Sequence, residues 1–337
     1  MALGTYSDAY IDLPAFHAGI VEGVAQNLAL FNALSRNTIV MRDQRFPGHY
    51  NNKSFFGSME DFAKRRDITS SSAMSGGDIN KIVELTERGV KLNRKIPINQ
   101  TLDFFKKSMQ TMFNGDIAQF STAFGNELAV AQLKEQLNSG LLAVGAALAN
   151  QSASLYTVPT SGTLQKESLN YGRAKMGDMA GSLRVWVMHS KPYFDLVGDQ
   201  VADNIFEVTG AVLYGGVPAT YGLPTLVTDS ASLVISSGGS APTYTYRTLG
   251  LVEDAIHCIN SEDESVLAIP YGENENAEIH FRAEYAFNAQ VKGFAWDTAN
   301  GGVNPSSTAV GTGSNWDPYD AGTSAHKRRA GVCVVST

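Results

Sequence analysis

The sequence predicts an α+β fold in which one very long helix lies along one very long strand. Residues 117–149 contain no proline and place apolar side chains every three or four positions, which is typical of an α-helix. Residues 279–291 alternate between apolar and polar side chains, with Ala286 as the exception, which is typical of a strand with one buried face. Strands usually have about five or six residues, so one this long needs an elongated partner, and the helix can supply it.

The long helix is predicted to begin after Asp116, because an aspartate at this position can accept hydrogen bonds from the first backbone N–H groups. About 33 residues with a rise of about 1.5 Å each give a rod of about 50 Å. Gly125, Gly140 and Gly145 either bend this rod or allow close packing against it.

A polar, turn-rich segment precedes the helix. Residues 43–95 follow a predicted strand at Thr38–Arg42 and run into a second at Gly89–Ile98. We expect the whole to form an extended hairpin arm with a short helix at Gly77–Thr86. An insertion of this length in a compact domain needs a function or a partner. Upstream of it, residues 14–34 have the spacing of another helix.

The remaining segments predict a mixed α/β region. Helices are expected at Thr163–Met179 and from Lys191 to about Asp203, with Ser190 as the N-cap of the second helix. Residues 298–324 are rich in glycine, serine and asparagine and predict a loop. Strands are expected at Leu183–Met188, Gly210–Leu213, Thr225–Thr228, Thr243–Val252, Val266–Ile269 and Gly331–Ser336.

Composition and charge limit the function classes. The 337 residues, 43% hydrophobic and 18% charged, are enough for one large domain or two ordinary ones with a real core. The net charge of -7 is divided unevenly, with +3 on residues 1–110 and -10 on residues 111–337. This division either lets one part of a subunit dock on another part of its neighbour or is chance variation.

Several functions find no support in the sequence. An acidic chain is a poor specific DNA binder, and the basic runs at 64–66 and 327–329 have only three residues each. Cys258 and Cys333 cannot form a disulfide framework and favour a reducing compartment. We see no metal-ligand spacing, no signal peptide and no apolar run long enough for a membrane span.

Two patterns invite a chemical interpretation. His189, Ser190 and Asp195 are the residue types of a hydrolytic triad, but neighbours on one strand-to-helix turn cannot easily face each other, and no G-x-S-x-G turn is present. We therefore interpret Ser190 as a helix cap and His189 as a packed or strand-end residue. Gly311-Thr312-Gly313 has no following Gly-Lys-Ser/Thr and is interpreted as a flexible loop. No catalytic, cofactor-binding or metal-binding residue is predicted.

The order of elements resembles the Hong Kong 97-type capsid fold, which tailed-phage major capsid proteins share with encapsulins. Two local stretches are similar to its coat-protein branch. Arg184-Val185-Trp186-Val187-Met188-His189-Ser190, followed by Tyr193 and Leu196, is similar to the family's apolar strand, Met-His-Ser and helix. Tyr221-Gly222-Leu223-Pro224-Thr225-Leu226-Val227-Thr228-Asp229 is similar to the strand that follows in that family.

The resemblance implies five segments. They are an N-arm at residues 1–37, an E-loop at 38–98, a P domain with a spine helix at 99–150, an A domain at 151–275, and a P-domain return strand with a C-terminal segment at 276–337.

The resemblance also implies a function. The chain would be a non-enzymatic major capsid protein that assembles in the bacterial cytoplasm, as pentamers and hexamers, into the icosahedral head of a virion. Residues 43–95 of one copy would lie on the spine helix and the 279–291 strand of the next. Its other expected partners are a scaffolding protein, a portal, a decoration protein and packaged double-stranded DNA held by non-specific contacts, with no membrane and no cofactor.

Eight charged residues are predicted to make contacts between subunits: Arg42, Arg45, Lys53, Lys64, Arg65, Arg66, Arg282 and Glu284. Some members of the fold cross-link subunits through a lysine and an asparagine. Lys53 could supply the lysine, but no matched catalytic glutamate is visible, so no cross-link is predicted. An encapsulin-like compartment shell and a soluble α/β hydrolase using His189 and Ser190 stay open as alternatives.

Overall fold

The computed structural model contains two β-sheets and a long helix that contacts both. It describes residues 12, 14–16, 18–23, 35–43, 48–57, 59, 62–66, 68–71, 80–101, 116–159, 162–207, 220–237, 243–261, 265–271, 278–320, 322 and 324–337.

The strands, in chain order, are β1 (Ile39–Asp43), β2 (Tyr50–Phe56), β3 (Glu84–Thr101), β4 (Leu155–Thr157), β5 (Leu183–Met188), β6 (Thr225–Val227), β7 (Val234–Ser237), β8 (Thr243–Val252), β9 (Ile256–Asn260), β10 (Ser265–Tyr271), β11 (Glu278–Val291), β12 (Phe294–Trp296), β13 (Trp316–Pro318) and β14 (Gly331–Ser336). The helices are α1 (Ile117–Ala149), α2 (Lys166–Ala174), α3 (Ser190–Glu207) and α4 (Ser307–Val310). Short 3₁₀ turns occur at Gly177–Ser182, Ala231–Leu233, Gly313–Asn315 and Ala325–Arg328.

The first sheet is built on a long antiparallel ribbon. Its strand order is β1-β9-β11-β3-β12-β13, and β3 pairs with β11 continuously from Val90 opposite Ala289 to Thr101 opposite Glu278. β2 pairs with the beginning of β3, and β10 pairs with the beginning of β11. The second sheet has the order β4-β14-β8-β5-β6, with β7 beside β8.

The long helix is confirmed with the predicted bounds. The Asp116 carboxylate accepts a hydrogen bond from the backbone N–H of Gln119 at 3.1 Å, as expected of an N-cap. The first half of α1 packs with Phe16, Ile20 and Phe281, whereas residues 139–148 are almost entirely buried. The helix therefore covers one face of the first sheet and ends in the main core.

The glycines of α1 serve close packing. A side chain at Gly125 would collide with the backbone carbonyl oxygen of Phe16. A Cβ at Gly140 would lie 2.9 Å from Cγ2 of Ile256 and 3.0 Å from Sγ of Cys258. The first contact lets the N-terminal helical segment approach α1, and the second lets β9 do so.

The long return strand is confirmed as β11, but its alternation describes only its first half. Up to Tyr285 the polar side chains are exposed or half-buried and the apolar ones buried. From there to Val291 every residue is buried, including Asn288 and Gln290. The prediction of a single buried face is therefore wrong for the second half of the strand.

The hairpin arm exists, but its outgoing strand is not the predicted one. β1 confirms the strand expected at Thr38–Arg42, yet it pairs in parallel with β9 and not with β3. β2, which the sequence did not indicate, is the strand that pairs with β3. The helix expected at Gly77–Thr86 is wrong, because residues 80–83 form no regular element and Glu84–Thr86 begin β3.

Most elements of the mixed α/β region are confirmed. β5, β8 and β14 have the predicted bounds, and β6 and β10 lie within one or two residues of theirs. The helix expected at Thr163–Met179 is shorter, since α2 ends at Ala174 and a 3₁₀ turn follows. The strand expected at Gly210–Leu213 lies outside the described residues, as does much of the helix expected at 14–34, whose described residues 14–16 and 18–23 are helical.

The segment 298–324 is more ordered than a loop. It contains α4, a 3₁₀ turn and β13. The rings of Trp296 and Trp316 meet edge to face at 4.9 Å, and their indole N–H groups donate to the carbonyl oxygens of Gly302 and Val310. Two buried tryptophans thus organise a stretch whose composition indicates only turns.

The two sheets do not follow the five predicted segments strand by strand. β9 and β10 belong to the 151–275 segment but hydrogen-bond in the first sheet, and β14 belongs to the 276–337 segment but lies inside the second sheet. The segment names and limits stay predictions.

Candidate assembly surface

The arm, defined here as residues 50–90, exposes large apolar side chains. Phe56 is 74% exposed and Ile68 84% exposed, and the other large apolar side chains exposed on the arm are Met59, Ile82 and Val83. Scattered exposed apolar residues are normal, but five within residues 50–90 are a concentration typical of a segment that contacts another protein.

The root of the arm is fixed by a buried carboxylate. Glu87 on β3 is 6% exposed, and its Oε1 accepts a hydrogen bond from the backbone N–H of Gly293 at 2.6 Å. The amide of Gln290 donates to Oε2 at 3.4 Å. Burial raises the pKa of Glu87, and this is opposed by the Gly293 hydrogen bond and by the nearby charges of Lys53 and Lys292. The carboxylate thereby ties β3 to the turn between β11 and β12.

A second contact holds the other strand of the arm. The rings of Phe55 on β2 and Tyr319 meet edge to face at 5.1 Å. The backbone N–H of Tyr319 donates to the carbonyl oxygen of Gly293, the same residue that Glu87 binds. Burial raises the pKa of Tyr319, and the negative charge of Glu87 raises it further. Both strands of the arm are therefore attached at one point of the subunit.

The strand register places four of the predicted contact residues on one face of the first sheet. Arg42, Lys53, Arg282 and Glu284 all project from the face opposite α1. Arg282 and Glu284 form an ion pair with each other and are partly exposed. This face, which we call the outer face, is thus a charged surface.

Arg42 and Lys53 both lie close enough to His257 to affect its titration. Burial lowers the pKa of His257; Asp254 opposes this, and the positive charges of Lys53, Arg42 and Lys292 lower the pKa further. His257 itself was not singled out by the sequence, because an isolated histidine on a strand carries no distinguishing pattern.

The remaining predicted residues lie apart from this face. Lys64, Arg65 and Arg66 are exposed in the arm beyond the strands, and Arg45 lies outside the described residues. The structure therefore brings four of the eight residues together on one sheet face and leaves the basic triplet on the projecting arm.

The two stretches that resemble the coat-protein branch meet at the start of α3. β5 and β6 pair in parallel with Met188 opposite Val227, which places Asp229 beside Ser190. Hydrogen bonds from the Ser190 side chain and backbone N–H, together with His189, lower the pKa of Asp229. A carboxylate at a helix N-terminus is stabilised by the unpaired N–H groups there. Asp229, which ends the second stretch, was missed in this role.

The predicted triad with Asp195 does not form, and Ser190 is not the cap. Oγ of Ser190 lies 3.4 Å from Nδ1 of His189, and Nε2 of His189 lies 3.6 Å from the carboxylate of Asp229. Ser190 is the first residue of α3, and it is the ring Nδ1 of His189 that accepts the backbone N–H of Lys191 at 3.3 Å. Asp195 pairs with Nζ of Lys191 at 2.5 Å and not with His189. His189 and Ser190 are thus part of a helix start, which argues against the hydrolase alternative.

Two further observations concern the described part of the chain only. No group of three or more His, Cys, Asp or Glu side chains within it could hold a metal ion. None of its helices combines the length and the apolar character that crossing a membrane requires.

Comparison with known structures identifies the fold. The chain is similar to the capsid of Ralstonia phage GP4, with a TM-score of 0.51 and 9% identity over 89% of this chain and 87% of that chain. It also matches the capsid of Helicobacter pylori bacteriophage KHP30, with a TM-score of 0.49 and 7% identity over 89% and 88% of the two chains. No curated protein sequence matches.

The two sheets, the long helix and the hairpin arm of the described residues have the architecture of the Hong Kong 97-type capsid fold. The family model described as Major capsid protein 13-like matches residues 13–333. The chain belongs to this family of phage major capsid proteins. It is therefore a structural, self-associating component of a virion shell.

Proposed function

We propose that the shell is an icosahedral phage head built from pentamers and hexamers, in which the arm of one copy packs on α1 and β11 of the next. The observation that carries this is the set of five exposed apolar side chains on the arm. Their exposure costs free energy in an isolated subunit and is relieved when a neighbour covers them, at about 25 cal/mol per Å² of apolar area.

Charge supports the same contact. The arm carries the exposed triplet Lys64, Arg65 and Arg66, whereas residues 111–337 have a net charge of -10. On α1, Glu127 and Val130 are exposed, so the helix offers a carboxylate and an apolar side chain to an incoming arm. Opposite charges on the two sides would speed association and fix its orientation.

The test is reversal of the triplet, with Lys64, Arg65 and Arg66 all replaced by Glu. These residues are exposed, so the thermal midpoint of the free subunit should change little, while the yield of particles seen by electron microscopy should fall at least several-fold. The matched control replaces the same three residues by Gln, which removes charge without adding repulsion, and should give an intermediate yield. Normal particle yield from the Glu variant would refute the contact.

The remaining partners follow from a phage-head function. We propose a separate scaffolding protein, a portal and a decoration protein, with assembly in the host cytoplasm. Packaged double-stranded DNA would be held by weak, sequence-independent contacts, because the chain is acidic overall and affinity for phosphates comes from clustered Lys and Arg. No catalytic step is proposed.

A further inference from the structure

Several strands have one side that no described strand pairs, and β10 and β2 are two of them in the first sheet. Among the described residues, β10 pairs only with β11, and β2 pairs only with β3. The other side of each strand therefore presents backbone N–H and C=O groups that no described strand pairs, and such an edge is a template for a strand from another chain.

The part of β3 that extends beyond β2 is protected against pairing with another chain, whereas β10 is not. On β3, the N–H groups of Lys91 and Asn93 donate to His49 O and Asn304 Oδ1, and Lys95 and Pro97 follow along the strand. Lysine and proline on an edge discourage pairing with another chain. β10 has a different edge, because its side chains Leu267 and Ile269 are apolar and are 53% and 50% exposed.

The segments that flank the two strands in the sequence have opposite charge. β10 is flanked in the sequence by Glu262-Asp263-Glu264 on one side and by Glu273 and Glu275 on the other. β2 carries the exposed Lys53, and the arm it leads into carries the basic triplet at 64–66. Segments of opposite charge favour the pairing of β10 with β2, and segments of like charge disfavour the pairing of two β10 strands or two β2 strands.

The two edges of one copy cannot pair with each other. β2 lies beside β3 at residues 84–90, whereas β10 lies beside β11 at residues 278–284, which are paired with the far end of β3 at 95–101. The free edges thus lie on opposite sides of the ribbon and at opposite ends of it. Any pairing between them must join two copies.

We propose that β10 of one subunit binds β2 of a second subunit as an added strand, so that the first sheet continues from copy to copy. The inference rests on the proposed reach of the arm to a neighbour and adds the strand that receives it. Because the two edges differ, the contact is head-to-tail, and each copy offers both halves of it. Head-to-tail contacts generate rings when the rotation closes.

Paired cysteine variants test the strand pairing. Lys53→Cys is combined in turn with Val266→Cys, Leu267→Cys, Ala268→Cys and Ile269→Cys, and assembled particles are oxidised and run on a non-reducing gel. Side chains of a strand alternate between the two faces, so disulfides should form at alternate positions of β10 only. The products should be ladders longer than dimers, because every copy carries both cysteines.

The background of this experiment is low. Cys258 and Cys333 are buried, and burial raises the pKa of each thiol to about 12, so neither competes for oxidation. Lys53→Cys combined with Tyr171→Cys is the matched control, since Tyr171 is 55% exposed and lies on α2, which packs against β4 and β14 of the second sheet. It should give no ladder.

A backbone variant gives an independent readout. Pro270 has no N–H to donate to β11, so we take its backbone nitrogen to face the free edge. Alternate N–H groups of a strand point the same way, and the N–H of Ala268 therefore also points away from β11. Ala268→Pro should therefore leave the β10–β11 pairing in place and the thermal midpoint of the free subunit nearly unchanged, but lower particle yield several-fold. Ala268→Pro particles at normal yield would overturn the proposal.

The outcomes separate this inference from the proposed function. Suppose that the wild type forms particles but the cysteine variants give no ladder, or give ladders at successive positions of β10 without alternation. Either result would overturn the added strand and leave the shell function intact. If the unmodified chain forms no shell, ring or tube at all, the proposed function fails first.

Discussion

At the scale of single residues, the root of the arm depends on a carboxylate that is buried and yet hydrogen-bonded. Glu87 accepts the N–H of Gly293, and Gly293 in turn accepts the N–H of Tyr319, so three segments meet around one side chain. Removing the carboxylate altogether would leave the N–H of Gly293 buried without its acceptor, which costs about 1–3 kcal/mol. A neutral side chain of the same shape keeps an acceptor in place.

Glu87→Gln should therefore change how stability depends on pH. Because burial raises the pKa of Glu87 above its ordinary value of 4.5, the folded subunit binds this proton more tightly than the unfolded chain does. The stability that this proton contributes is present below pH 4.5 and is lost as pH rises through the raised pKa. The variant lacks this titration. Chemical unfolding from pH 4 to 8 should show the free energy of unfolding of the wild type falling relative to that of Glu87→Gln as pH rises. Parallel curves would contradict the assignment.

At the scale of elements, two glycines of α1 differ in what an added methyl group would contact. Glycine-to-alanine changes in a helix interior gain about 1 kcal/mol of intrinsic helix stability. At Gly145 the added methyl meets only the flexible side chain of Arg247, at 3.3 Å. At Gly140 it meets the stiff, β-branched Ile256 on β9 at 2.9 Å.

Gly140→Ala and Gly145→Ala should thus have opposite effects. We expect Gly140→Ala to destabilise the subunit by about 1–3 kcal/mol, the usual cost of overpacking. Gly145→Ala should be neutral or stabilising by up to about 1 kcal/mol. Thermal or urea unfolding of the two variants beside the wild type measures this, and equal shifts in the same direction would show that α1 and β9 are not in close contact.

The elements that sequence could predict are those marked by recurring apolar side chains or by clear end signals. α1 was located with its bounds because apolar side chains recur every three or four positions after Asp116 and no proline interrupts them, and β5 and β14 because each is a short apolar run. β2 escaped notice because its residues YNNKSFF are half-exposed or exposed on both faces, so no alternation marks them. The second half of β11 misled because its polar side chains Asn288 and Gln290 are buried beside Gly89 and Glu87 of β3, which are about 200 residues away in the sequence.

The candidate surface was predictable only in part, for a related reason. The charges at Arg42, Lys53, Arg282 and Glu284 were visible in the sequence, but their common face depends on the pairing of four strands. The free edges of β2 and β10 are likewise properties of the sheet order. Hydrogen-bond partners across a sheet are set by residues far apart in the chain, and local patterns cannot supply them.

At the scale of the whole molecule, the net charge of -7 is the feature that bears on packaged DNA. A shell of such subunits should hold double-stranded DNA without binding it tightly. Particles purified from infected cells should contain nuclease-protected DNA. The free subunit should bind duplex DNA only weakly at about 0.15 M salt, and this binding should weaken further as the salt concentration rises. A protein cargo with no DNA inside the particles would instead favour the encapsulin-like alternative.

The position of β14 has a consequence for the order in which the subunit is made. This strand lies inside the second sheet, between β4 and β8, although both of those are synthesised long before residues 331–336. Until that strand emerges from the ribosome, β4 lacks the one described strand that pairs with it, and β8 lacks one of its described neighbours. Pairings between distant parts of a chain form slowly. A nascent subunit therefore cannot complete the second sheet before β14 has been synthesised. We expect it to become able to join a growing shell only when nearly the whole described chain has been made.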